Sequence, residues 1–140
     1  REKALDIVQE ANKNGLMQSA EIGLDKQGMI TGALCNCCSD CCFPHQLSKK
    51  LNVQKYWPMS RYLAQPPTQD CIKCGKCVRR CPFGTISQEK DIKEKKLLVP
   101  VIDAEQCRGC GVCATGCPEG AIKMEQIRES LFEEKLKVHE

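Results

Sequence analysis

Cys71-Ile72-Lys73-Cys74-Gly75-Lys76-Cys77-Val78-Arg79-Arg80-Cys81-Pro82 and Cys107-Arg108-Gly109-Cys110-Gly111-Val112-Cys113-Ala114-Thr115-Gly116-Cys117-Pro118 are two copies of one pattern. Each holds four cysteines as Cys-x-x-Cys-x-x-Cys-x-x-x-Cys-Pro, and the second copy follows the first by 36 residues. Gly75 returns as Gly111, Pro82 as Pro118, Gly84 as Gly120 and Ile86 as Ile122. Agreement at the cysteines and at these flanking positions marks an internal repeat.

The spacing has a chemical reason. Three thiolates at i, i+3 and i+6 let one loop wrap three corners of a cubic iron-sulfur cluster, while the fourth cysteine sits a helical turn further on and points elsewhere. In two-cluster proteins that fourth thiolate serves the other cluster. The rule gives one 4Fe-4S cluster on Cys71, Cys74, Cys77 and Cys117, and a second on Cys107, Cys110, Cys113 and Cys81. Gly75, Gly109 and Gly111 allow the backbone to approach such a group, and Pro82 and Pro118 end the helical turn that follows.

This stretch resembles the bacterial two-cluster ferredoxin domain, over about residues 66 to 124. The resemblance implies an α+β fold, ferredoxin-like and pseudo-two-fold, with two 4Fe-4S clusters and electron transport as its role. Within it the pattern predicts a short cluster loop and helical turn at 71 to 81, strands near Thr85 to Gln88, Leu97 to Ile102 and Ala121 to Lys123, and a second cluster loop at 107 to 117. Lys90, Lys93, Lys95 and Lys96 read as a solvated turn. From Met124 to His139, Met124, Ile127, Leu131 and Val138 form one stripe of a closing helix.

Composition agrees with a metal-dependent domain. Hydrophobic residues make up 41% of the 140, but 13 of them are cysteines and aromatics are only 4%. An ordinary core is therefore thin, and metal must supply folding energy. A disulfide scaffold is the usual reason for so many cysteines in a short secreted chain. The repeat spacing, the odd count and the lack of an apolar leader oppose it. The expected compartment is reducing and cytoplasmic.

No apolar run reaches membrane-span length, so no direct membrane insertion is expected. The formal charge of +3 falls to about −1 once two clusters of about −2 each are bound, which removes the argument for nucleic acid. The chain begins at Arg1 without an initiating Met, as a trimmed chain or a domain of a longer polypeptide would.

Ahead of a stiff Pro66-Pro67 connector lies a second unit, residues 1 to 65, helical and Cys-rich, so that the chain divides as 1–65, 66–124 and a C-terminal helix at 125–140. Residues 3 to 14 read as an amphipathic helix with Ala4, Leu5, Ile7, Val8 and Ala11 on one face and a stop at Asn14-Gly15. Leu16 to Leu34 reads as a Gly-spaced loop with a short strand near Met29 to Leu34. Short helices are expected over 45 to 63. Trp57, with Tyr56 and Tyr62, is expected to cover the Cys-rich loop or the first cluster.

Between these lies Cys35-Asn36-Cys37-Cys38-Ser39-Asp40-Cys41-Cys42. Adjacent cysteines cannot all face one core, and dense Cys tracts bind metal. Four of Cys35, Cys37, Cys38, Cys41 and Cys42 form a candidate third site, for zinc or a further iron-sulfur cluster, and His45 lies nearby. The segment resembles the Cys-Asn-Cys-Cys segment ahead of the ferredoxin repeats in ferredoxin-like proteins of certain bacteria, many of them anaerobic, where a Trp-Pro stretch also follows.

Three functions compete. The first is an electron-transfer protein or oxidoreductase subunit that carries single low-potential electrons between redox partners, as part of a larger redox complex or alone. In the second, a reductive activator or enzyme component, the Cys35–Cys42 site holds a chemically active third cluster. The third is a zinc- or thiol-based sensor or structural module. Neither repeat leaves an open iron, which favours the electron carrier. Lys73, Lys76, Arg79 and Arg80 lie in the first motif and only Arg108 in the second, so the first cluster is expected to have the higher potential.

Overall fold

Iron-sulfur motifs need close loops rather than a large core, and the computed structural model shows how this chain builds them. It describes residues 2–90 and 98–128. The chain divides into two units, residues 1–54 and 55–140, so the second begins ahead of the Pro66-Pro67 connector expected to open it.

In the first unit, helix α1 (Glu2–Lys13) ends where Gly15 turns left-handed at φ 79°. The amides of Gly15 and Leu16 close it on the carbonyls of Asn12 and Ala11. Its apolar stripe is less covered than the amphipathic pattern predicts. Ala11 is buried, whereas Leu5 and Ile7 are exposed.

The stretch read as a loop is a hairpin. Strands β1 (Met17–Leu24) and β2 (Ile30–Cys37) pair antiparallel over their whole length, from Met17 opposite Cys37 to Leu24 opposite Ile30. Asp25 makes the turn: its Oδ1 accepts the amides of Gln27 and Met29, while Gly28 sits at φ 78°. The glycines that looked like loop punctuation lie in the ladder or at this turn. A tight turn follows, and helix α2 (Phe43–Lys50) starts with Pro44 in its first turn, where a missing amide costs nothing.

A helical turn at Gln54–Tyr56 spans the boundary, and the second unit then forms two antiparallel ribbons. Strand β3 (Tyr62–Ala64) pairs with β6 (Met124–Gln126), and β4 (Ile86–Lys90) pairs with β5 (Leu98–Ile102). Between them come two short helices, α3 (Lys76–Arg80) and α4 (Val112–Thr115), packed on each other. A core of Ala64, Cys77, Ile86, Cys107, Cys113 and Ile122 joins these pieces.

Two expectations fail here. Met124–Gln126 forms a strand, not the first turn of a closing helix, because its backbone groups pair with Tyr62–Ala64 and tertiary pairing overrides a helical stripe. The rest of that helix, from 129 on, lies outside the described residues, as do Lys93, Lys95 and Lys96. Leu63, read as part of a short helix, is correspondingly in β3.

The two motif loops share a backbone. Gly75 (φ 67°) and Gly111 (φ 77°) cap α3 and α4 in left-handed conformation. Two residues earlier, Lys73 (φ 57°) and Gly109 (φ 67°) are left-handed as well. Only the second needs glycine for space, since a Cβ at Gly109 would fall on the Tyr62 carbonyl oxygen. Gly109→Ala is therefore expected to cost more than about 2 kcal/mol, about 1 kcal/mol of left-handed strain plus a backbone clash. Lys73→Gly should stay within about 1 kcal/mol of the parent chain. Thermal midpoints of the iron-loaded chains rank the two.

Candidate metal centres

The first motif leaves a turn in which the Cys71 amide donates to the Thr68 carbonyl at 3.1 Å. Cys77 then lies buried on α3, and Cys81 follows the helix in extended conformation. The second motif is launched by Asp103, whose carbonyl accepts the Cys107 amide at 2.9 Å and whose Oδ1 accepts the amides of Glu105 and Gln106. Cys113 is buried on α4, and Cys117 lies just beyond it.

These loops enclose two cavities. One, of about 340 Å³ and open on one side, is lined by Cys71, Cys74, Cys77 and Cys117, with Ile122 and Pro100 as apolar walls. The other, of about 300 Å³, is lined by Cys81, Cys107, Cys110 and Cys113, with Ala64, Ile86, Phe83 and Met124 around them. Each gathers three thiols of one motif and the last thiol of the other. Apolar walls around converging thiols fit a group that ligates sulfur and excludes water.

The electrostatics group the same residues. Burial pushes the Cys110 thiol up to about 11 and the Cys113 thiol up to about 12, and the neighbouring sulfurs of Cys81 and Cys107 raise both further. Burial also raises Cys77, with Cys71 and Cys74 as its like-charged neighbours. A thiol so raised stays protonated at neutral pH, and binding a cation is what would release its proton.

The repeat extends to hydrogen bonds that the sequence does not advertise. The amide of Thr85 donates to Cys81 Sγ at 3.4 Å, and the amide of Ala121 donates to Cys117 Sγ at 3.3 Å. Cys81 also meets a hydroxyl, Thr85 Oγ1, at 3.4 Å, where the repeat has Ala121 in place of Thr85. The charges are redistributed too. Arg80, counted with the first motif, lays its side chain along Gly116 and donates from Nε to the Val112 carbonyl at 3.2 Å. Arg108 is buried beside the second thiol set. The sequence-based reason for a higher potential at the first set thus loses one of its four cations to the second motif.

Trp57 is also placed differently from expectation. Its ring meets Phe83 edge to face at 5.9 Å, and Phe83 lines the second cavity, so the aromatic cover belongs to that side. Tyr56 is exposed.

In the Cys-rich segment the thiols are close neighbours, Cys38 with Cys41 and Cys37 with Cys42 and Cys35. Cys35 and Cys37 lie at the end of β2, and Cys37 faces the Ser19 hydroxyl across the hairpin at 3.8 Å. Cys38 and Cys41 touch each other at 2.8 Å, and Cys42 precedes α2. The Cys38 thiol lies below its usual range, chiefly because Cys41 hydrogen-bonds it. Its partner Cys41 is raised for the complementary reason, its hydrogen bond to Cys38. Cys37 is raised by burial. His45 is buried on α2, not turned to solvent.

None of the thirteen cysteines is joined in a disulfide. No helix among the described residues is long and apolar enough to cross a membrane. A comparison with curated proteins finds no match. Residues 70–121 match the family model of the 4Fe-4S dicluster domain, which spans less than half of the chain and includes all eight repeat cysteines. That match supports a ferredoxin-type iron-sulfur domain with an electron-transfer role.

Proposed function

We propose that the second unit carries single low-potential electrons between two redox partners through two 4Fe-4S clusters, one held by Cys71, Cys74, Cys77 and Cys117, the other by Cys81, Cys107, Cys110 and Cys113. The observation that carries this reading is the composition of the two cavities, each lined by three thiols of one motif and the last thiol of the other. A 4Fe-4S cluster supplies a one-electron couple whose potential the surrounding protein sets. The left-handed turns at Gly75 and Gly111 support a pseudo-two-fold relation between the halves.

The chain's own residues do the rest. Eight thiols satisfy all ligand positions, so no position is offered to a substrate and the unit acts as a carrier, not as an enzyme. Ile122 and Pro100 on one side, and Ala64, Ile86 and Met124 on the other, give the sulfurs apolar walls. The amides of Thr85 and Ala121 neutralise part of the charge on the two exchanged thiolates. A reducing, cytoplasmic setting is the one in which cysteine ligands of this kind stay available for iron.

The cavity composition makes a distinctive forecast. Anaerobic chain should hold about eight irons and about eight sulfides. Cys117→Ser should perturb the same EPR signal as Cys71→Ser, and Cys81→Ser the same signal as Cys113→Ser. If Cys117→Ser instead matches Cys113→Ser, each motif holds its own cluster and the exchanged assignment is wrong.

Thr85→Val removes a hydroxyl from Cys81 and leaves the first set untouched. It should lower the potential of the second cluster only, by at most about 60 mV, the one-electron equivalent of about 1.4 kcal/mol. EPR-monitored redox titration reads this directly. Iron loading depends on pH in a fixed direction. Buried thiols that keep their protons up to about 11 and about 12 must release them to bind, so loading of the second set should weaken as pH falls. Reconstitution at pH values of about 6.5 and about 8.5, followed by iron counts, measures the slope.

A further inference from the structure

The densest chemistry outside the two cavities lies in the turn between β2 and α2. Cys38 Sγ and Cys41 Sγ are 2.8 Å apart. Two thiolates on one tetrahedral zinc, with bonds of about 2.3 Å, would stand about 3.8 Å apart. The observed contact is shorter by a full ångström, and less than 1 Å of closure separates it from a disulfide of about 2.05 Å. At that distance the two sulfurs stand within reach of a mutual disulfide.

The turn that presents this pair is held in place. The Cys41 amide donates to Cys38 Sγ at 3.2 Å. From α2, the side-chain amide of Gln46 reaches back to the carbonyl of Ser39 and, at 3.3 Å, to that of Asp40. Ser39 Oγ donates to Asp40 Oδ1 at 3.1 Å. The two residues between the cysteines are thus fixed by contacts that need neither sulfur. Cys41 is exposed and Cys38 half-buried, so a reactant can reach the pair.

We propose that Cys38 and Cys41 form a redox-active dithiol that reduces a disulfide bond, a function separate from the thiol-lined cavities of the second unit. The Cys38 sulfur, whose anion the Cys41 amide stabilises, attacks one sulfur of the substrate disulfide. That bond breaks, a mixed disulfide forms on Cys38, and the departing sulfur takes a proton. Cys41 then attacks Cys38 Sγ, closing the Cys38–Cys41 disulfide and releasing the second substrate thiol with a proton. Two electrons and two protons pass from the pair to the substrate, and any dithiol reverses the exchange. Gln46 is a positioning residue, holding the turn so that Cys41 meets Cys38.

The test uses the full, iron-loaded chain under anaerobic conditions, with oxidised glutathione and a disulfide-bonded peptide as separate probes. Products are mapped by differential alkylation and fragment mass spectrometry. The parent chain should end with a Cys38–Cys41 disulfide and no bound glutathione. Cys41→Ser should trap the probe on Cys38, and Cys38→Ser should slow the reaction by roughly tenfold or more. Gln46→Ala should leave the first attack unchanged and let the mixed disulfide accumulate. The probe that reacts faster tells whether the natural disulfide is small or part of a polypeptide. Probe spread evenly over Cys35, Cys37 and Cys42 would overturn the proposal. So would zinc, or iron beyond about eight per chain, that the parent retains and Cys38→Ser loses.

Discussion

Sulfur that must be charged to bind and is buried too deeply to be charged alone is the constraint on which this molecule rests. Cys113 holds its proton up to about 12 because it lies among hydrocarbon and other sulfurs. A thiol in that setting is useful only when a cation takes the proton's place. The second unit is built for that exchange. Its core of six buried residues includes three cysteines, so packing and ligation share the same atoms. Apolar residues such as Ala64 and Ile86 enclose the sulfurs without filling the space between them.

The repeat was legible because its spacing is strict and each of its residue types has one dominant use. Cysteine intervals, the cap glycines and the prolines that stop α3 and α4 can all be read without knowing what lies across the cavity. Arg80 could not be, since its partner is a carbonyl on the other motif and its path runs over Gly116. The glycine is visible in the sequence, but nothing there says which side chain crosses it. Trp57 is a similar case. Its ring was expected near a cluster, and which cluster was decided by Phe83, a residue with no pattern of its own.

Errors of element type came from local signals that tertiary pairing outvoted. Met124 and Ile127 keep a helical interval, yet the backbone at Met124–Gln126 is claimed by Tyr62–Ala64. Gly23, Gly28 and Gly32 suggested a loop because glycine is weak in strands. In a two-stranded ribbon with one turn, the same residues are tolerated in the ladder, where Gly32 pairs with Ile22, or supply the positive φ of the turn. The placement of five thiols in the first unit was illegible for a related reason. Cys35 and Cys37, two apart on β2, share one face of the strand, and what lies across from them is set by a hairpin that the glycines concealed.

The pairing of β3 with β6 brings a mechanical consequence. Tyr62 lies opposite Gln126, and the amides of Ile127 and Arg128 both donate to the Arg61 carbonyl, so the chain enters and leaves this ribbon at the same end. A pull on the flanking segments loads the hydrogen bonds one after another, as in opening a zip, and not all together as in sliding two strands past each other. Such a ribbon yields at low force. Ala64 and Met124, which face each other at its far end, are both walls of the second cavity. Opening of the ribbon from that end would therefore uncover that set of sulfurs before it disturbed the other.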